Sequence, residues 1–336
     1  MSPATSIVAT AVKILQAHSR TALLFTAAAF AAIPIGGARA EYPERPVTII
    51  SCFPAGGGTD IAVRLISNQL GEALGKSVIV ENRAGAGGSL GTALVARTTP
   101  DGYTLLGCSS AFVVNPSLYA NVTYDPFKDF TPIMVLGAAP NLFVVPSQSK
   151  IKTMGDFVAE AKAHPGKLNW TSPGAGTTPQ LAGELLKTAA DIDIVHIPFT
   201  GAGPAMNAVL GGQVDMYAGN YGSIGALLTS VRPLAVTSDK RWPDLPDAPT
   251  LAELGIKSPP TDTFQALLAP AGTPQPIIDR LVKELTAILA RPDVQEKYAK
   301  IGLPVVAEGP DAFHARIARE VPMYKAVIDK AGLKIE

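Results

Sequence analysis

The sequence has no surplus of charge and little cysteine, histidine or aromatic content. Among 336 residues, 28 Lys+Arg balance 28 Asp+Glu, with 2 Cys, 4 His and 6% aromatics. A nucleic-acid binder needs basic residues in excess to neutralise phosphates, so that class is excluded. No Cys, His and Asp cluster has ligand spacing, so no metal site is expected. Gly-Gly-Gly-Thr lacks the P-loop lysine and no G-x-G-x-x-G follows a strand, which disfavours nucleotides, and no cofactor is expected. Beyond Glu41 no run is long and apolar enough to cross a bilayer. What the chain does have is 47% apolar residues, enough to bury a large core, and 31 Gly with 29 Pro in no collagen-like period, which marks many tight turns. Its length suggests about two domains.

Residues 1–40 hold Lys13, Arg20 and Arg39, no acid, an apolar run from Thr21 to Ile33, and the small-residue sequence Ala38-Arg39-Ala40. This is the pattern of a secretory signal peptide cleaved after Ala40, and it predicts a periplasmic, soluble product. Removing it leaves a slightly acidic chain. Cys52 and Cys108 each close an apparent strand. In an exported protein they bridge if those strands are parallel neighbours, but the demanding geometry of a disulfide makes two unpaired thiols the default.

Strand and helix patterns alternate: Val47 to Phe53, Ser77 to Glu81 and Tyr103 to Cys108 as strands, Ile61 to Leu74 and Ser89 to Thr98 as helices. A second series runs through strands at Leu142 to Val145, Leu168 to Thr171, Ile194 to Ile197, Asp215 to Ala218 and Leu234 to Val236. Its helices are Met154 to Ala163, Thr178 to Ala190 and Pro204 to Leu210. Phe264 to Leu268 reads as one more strand, and Pro276 to Leu289, Pro292 to Lys300 and Pro310 to Ala331 as helices that pack back on the first sheet. The class is α/β, with parallel sheets covered by helices on both faces. The expected organisation is a discontinuous lobe 41–141 plus 266–336 and a second lobe 142–265, joined by two crossovers.

Three loops carry the chemistry. Phe53-Pro54-Ala55-Gly56-Gly57-Gly58-Thr59-Asp60, Ser172-Pro173-Gly174-Ala175-Gly176-Thr177-Thr178 and Thr200-Gly201-Ala202-Gly203 each follow a strand and open a helix. Free backbone amides at helix N-termini bind anions without a cationic side chain. Ligands of open α/β sheets sit beyond the strands' carboxyl ends, where these loops fall, so the loops predict an anion-binding cleft. Asp60 in a first helical turn favours the helix dipole and could also accept from a ligand or water. Phe53 defaults to core packing, while Tyr217, beside Ala218-Gly219-Asn220, is a candidate to face the cleft. The rival class is an α/β hydrolase, on Gly87-Gly88-Ser89-Leu90-Gly91. A nucleophile elbow needs its serine directly between strand and helix, and none of His164, His196 or His314 is placed for a triad.

Longer runs carry a resemblance. Tyr42-Pro43-Glu44-Arg45-Pro46-Val47-Thr48, the Gly-Gly-Gly-Thr-Asp loop, Val80-Glu81-Asn82-Arg83-Ala84-Gly85-Ala86-Gly87-Gly88, Pro100-Asp101-Gly102-Tyr103, Leu181-Ala182-Gly183-Glu184-Leu185, Gly211-Gly212-Gln213-Val214-Asp215 and Ala269-Pro270-Ala271-Gly272-Thr273-Pro274 look like the Bug family of periplasmic solute-binding proteins. The resemblance covers residues 42–333. It implies a type II periplasmic-binding-protein fold, two Rossmann-like lobes with two crossover strands closing on a small carboxylate. It also implies a non-enzymatic receptor that passes ligand to the permease of a tripartite tricarboxylate transporter; the alternative is a sensor that passes ligand state to a membrane signalling partner, and in either role the chain is expected to be a monomer.

Transferred by position, Gly57, Gly58, Thr59 and Asp60 serve from one lobe and Ser172, Gly174, Gly176, Thr177 and Thr178 from the other, with Ser109 and Ser110 adding hydroxyls. Phe53, Gln180, Tyr217 and Asn220 complete the expected ligand-binding set. The family commonly has His at Gln180 and Asp at Gly219, so specificity is where this chain departs. Loss of an acid at Gly219 disfavours an amino-acid ligand and favours an uncharged or second-carboxylate distal group.

Overall fold

The computed structural model describes residues 42–199 and 201–335. The expected signal peptide over residues 1–40 and Thr200 of the third loop lie outside them. Among the described residues, ten strands form one hydrogen-bonded sheet: β1 (Val47–Ser51), β2 (Val78–Asn82), β3 (Thr104–Ser109), β4 (Phe130–Pro146), β5 (Asn169–Ser172), β6 (Val195–Pro198), β7 (Met216–Asn220), β8 (Val231–Val236), β9 (Asp262–Pro270) and β10 (Val305–Glu308). Their order is β2-β1-β3-β9-β4-β7-β5-β6, with β8 and β10 also pairing β4.

The helices are α1 (Gly58–Leu74), α2 (Ser89–Ala96), α3 (Ala111–Leu118), α4 (Met154–Ala163), α5 (Thr178–Ala190), α6 (Ala202–Leu210), α7 (Tyr221–Ile224), α8 (Gln275–Leu289), α9 (Pro292–Lys300) and α10 (Pro310–Ala331). Among the described residues, none is long and apolar enough to cross a membrane.

Strand β4 joins the sheet's two halves. Phe130 to Pro140 pair with β9, while Asn141 to Pro146 pair with β7 and β8, so the partner changes between Pro140 and Asn141. Period-two alternation fills the cores on both faces of each half. Val47, Ile49 and Leu105 point into one cluster and Ile50, Leu106 and Leu268 into the opposite one. Phe143 and Met216 likewise oppose Leu142 and Tyr217. Helices α8 and α9 join α1 on one face of the first half, through Ile278, Leu281 and Tyr298. Helix α10 covers its other face through Phe313, Ile317 and Tyr324. Arg316 of α10 meets Asp262 at 2.8 Å, Glu308 at 2.7 Å and Glu320 at 2.8 Å, beside the crossing of β4 and β9.

Several expectations need correction. The strand expected at Leu142 to Val145 is the end of a 17-residue β4, bent by register shifts near Pro132 and Gly137. Helix α3 and strand β10 escape the sequence reading altogether. The sheet is mixed, because β9 runs antiparallel to both β3 and β4. The cysteines are not free thiols: Cys52 and Cys108 form a disulfide with Cα atoms 5.4 Å apart. The cause is register, since β1 and β3 are parallel neighbours with Ser51 opposite Gly107, which brings the next residue of each strand side by side.

Candidate functional site

Two cavities share Asn220 and Thr263. The first, about 230 Å³, is walled on one side by Phe53, Gly87, Ser109, Ser110 and Asn115, and on the other by Pro173, Gly176, Thr177 and Thr178. The second, about 280 Å³, is lined by Gly58, Ile61, Gln265, Ser223 and the Ile301 to Leu303 loop. Among the described residues, none that lines either cavity carries a formal charge. A larger cavity of about 530 Å³ is lined by Asp239, Asp262, Glu308 and Glu320 against Arg316 and Arg319. Its acidic excess repels an anion, so size does not decide between them.

The first cavity lies between two helix starts. Ser110 caps α3, with its carbonyl accepting from the Val113 and Val114 amides, and Ser109 Oγ takes the Ala111 amide at 3.2 Å. Thr177 caps α5, its hydroxyl accepting from the Gln180 amide at 3.4 Å and donating to Gly174 O at 2.8 Å. The Phe112 and Thr178 amides fall in first turns, where no helical carbonyl precedes them to accept. Thr178 Oγ1 lies 2.7 Å from Thr263 Oγ1, which donates to Asn141 Oδ1 at 3.3 Å, tying α5 to β9 and β4. The result is a neutral cradle of backbone and hydroxyl donors, suited to a carboxylate.

Of the residues expected from sequence, Phe53, Ser109, Ser110, Gly176, Thr177, Thr178 and Asn220 line the first cavity, and Asn220 and Gly58 the second. Gly57, Thr59, Asp60, Ser172, Gly174, Gln180 and Tyr217 line neither. Thr59 donates to Gln265 Oε1 at 2.7 Å and so orients a residue of the second cavity.

Asp60 accepts from the Gly56 amide at 2.9 Å, from Asn82 at 2.8 Å and from Arg64 at 2.8 Å. Burial raises its carboxyl pKa, but those donors outweigh burial and hold it below the ordinary value. It therefore shapes the first loop. Gln180 Oε1 takes the Gly176 amide at 2.7 Å, which commits that donor internally. His196 places Nδ1 3.5 Å from Gln180 Nε2 and Nε2 3.0 Å from Ser172 Oγ. Burial, aided by Lys187, pulls the imidazole down to about 4 and keeps it neutral.

Tyr217, the candidate cleft aromatic, is instead fully buried, its hydroxyl 3.2 Å from Ser223 Oγ. A Cβ on Gly219 would fall 2.1 Å from its ring, so the ring fills the space an aspartate there would need. The third loop donates its Gly201 amide to Pro173 O at 2.7 Å and supports the second loop. Sequence reasoning missed Asn115, Thr263, Gln265 and the Ile301 to Leu303 loop. On β9, Thr263 and Gln265 are polar among alternating core residues, a signal that was readable.

Comparison with known proteins agrees with this architecture. The family model described as tripartite tricarboxylate transporter family receptor matches residues 62–333. The chain is 33% identical to BugT of Bordetella pertussis over 93% of this chain and 97% of that protein. A protein from the tcbD-tcbE intergenic region of Pseudomonas sp. strain P51 is 35% identical, over 85% of this chain and 86% of its own length.

Among solved structures, the periplasmic binding protein BugD superposes with TM-score 0.71 at 37% identity, covering 88% of this chain and 100% of that one. An R. palustris protein with adipate gives TM-score 0.75 at 32% identity, again over 88% and 100%. MatC of Rhodopseudomonas palustris with bound malate gives TM-score 0.70 at 30% identity, over 85% and 100%. The α/β fold is that of these periplasmic binding proteins, as the resemblance implied, and the chain belongs to the tripartite tricarboxylate transporter receptor family.

Proposed function

We propose that this chain is an exported, non-enzymatic receptor that captures a small dicarboxylate and delivers it to a membrane permease. One observation carries the reading: a cavity lined, among the described residues, by no charged side chain lies between the starts of α3 and α5, which belong to different halves of the sheet. One carboxylate occupies this cradle. The remainder of the ligand extends past Asn220 and Thr263 into the second cavity, where Ile61, Ile301 and Leu303 offer apolar contact and Gly58 opens α1. Adipate and malate, bound by relatives of the same fold, have this two-ended chemistry. Residues 41–141 with 266–336 and residues 142–265 act as two lobes closing on the ligand, with β4 and β9 as the connections.

A thermal-shift screen with mono-, di- and tricarboxylates tests the reading. Ligand bound at 100 times its Kd stabilises by about 2.7 kcal/mol, so one or a few dicarboxylates should raise the melting temperature. A screen in which no carboxylate shifts it counts against a receptor.

A further inference from the structure

The Cys52–Cys108 disulfide lies directly behind the first cavity. Cys52 is followed by Phe53, and Cys108 by Ser109 and Ser110, all of which face that cavity. Neighbouring segments lean on the same bridge. A Cβ at Gly88 would lie 3.1 Å from Cys52 Sγ and 3.3 Å from the Phe53 ring. Thr92 Oγ1 is 3.7 Å from Cys108 Sγ. Asn115 is held by Gly87 O at 2.9 Å and Ser89 Oγ at 3.0 Å. The Cys52 amide gives a last ladder bond to Gly107 O at 3.0 Å, after which one chain turns into the first loop and the other into α3.

We propose that the disulfide is a positioning element of the ligand cleft. It fixes Phe53 relative to the start of α3, so the cavity wall and the α3 amides are set before ligand arrives. The proposal rests on the receptor reading above but makes a separate claim. A disulfide also stabilises a fold by restricting the unfolded chain, and that effect leaves the folded protein's affinity untouched. Affinity and stability therefore separate the two roles.

The test compares Cys52→Ala/Cys108→Ala with Leu285→Ala, which is fully buried in the core on the opposite face of the first half-sheet. Adipate is the calorimetric probe, at a temperature where all variants stay folded. The double variant should bind about tenfold more weakly, while Leu285→Ala, although destabilised, stays within about twofold of wild type. Amide exchange without ligand supplies a second reading. The amides of position 52 and Ser110 should exchange faster in the double variant, with the Leu105 and Leu285 amides unchanged. Unaltered affinity, or faster exchange spread evenly through the core, overturns the proposal. Failure of wild type to bind any carboxylate defeats the receptor reading alone, because the exchange pattern still decides whether the bridge holds the wall.

Discussion

Gly222 and Gly302 meet backbone to backbone at the second cavity. A Cβ on Gly302 would lie 2.3 Å from Gly222 Cα, and one on Gly222 would lie 2.8 Å from Ile301 O. Gly222 is in α7, which packs on β4 and β7, and Gly302 is in the loop between α9 and β10. The contact joins the two halves of the sheet where lobe closure would bring them together. In Gly222→Ala the methyl group props them apart. With the halves apart that methyl no longer meets Ile301 O, and alanine suits a helix better than glycine, so the open, ligand-free protein should melt no lower than wild type. Dicarboxylate affinity should fall about tenfold or more, the loss a tenth of the closed population would give. Calorimetry paired with melting curves checks both halves, and undiminished affinity removes the contact from the closure account.

Thr177 and Thr59 separate direct from indirect roles. Thr177→Ala removes the α5 cap and a cavity hydroxyl, so it should cost about 1 kcal/mol of stability and weaken dicarboxylate binding. Thr59→Ala frees Gln265 without touching the first cavity, so its affinity loss should be the smaller. A larger loss in Thr59→Ala would move the carboxylate grip to the first glycine loop.

The fold was legible wherever local pattern and packing agree. Helix α1 shows its apolar face at helical spacing and ends at Gly75, a C-cap in the left-handed conformation. Helix α3 was not legible, because Val113-Val114 reads as strand and Pro116 as a breaker. Pro116 has no N–H for the Phe112 carbonyl four residues back, and the Tyr124 hydroxyl supplies that donor instead, at 3.0 Å. Only tertiary structure shows this substitution. Ser109, Ser110, Thr177 and Thr178, between strand end and helix start, were legible as the residues that line the first cavity. The Ile301 to Leu303 loop was not, since it reaches the cavity by packing against Gly222 from a distant stretch of chain.

Acid should weaken the second loop through His196. Its folded value, about 4, lies below the ordinary 6.5, so as pH falls through this range the unfolded chain takes up a proton that the native state refuses. The His196 contribution is neutral above 6.5 and increasingly destabilising down to about 4. His196→Gln should flatten that part of the stability profile. Equal slopes for wild type and variant, from denaturant midpoints across the range, would show that the imidazole is not held neutral.

Gly219→Asp should not convert the site to amino-acid binding. The new side chain must displace the buried Tyr217 ring, a small-to-large change that costs about 1–3 kcal/mol. In a Tyr217→Ala background, itself destabilised by the lost buried ring, Gly219→Asp should cost less than it does in wild type, because the space is open. A Gly219→Asp protein as stable as wild type would mean that the ring does not fill that space.

The central claim is that neutral, fixed dipoles at two facing helix starts hold a carboxylate. Calorimetric titration of wild-type protein with adipate and with its uncharged isostere adipamide measures this most directly. Tight one-to-one binding of adipate, with adipamide at least about a hundredfold weaker, is the predicted result. Equal affinity for the two, or binding of neither adipate nor any other dicarboxylate, would contradict it.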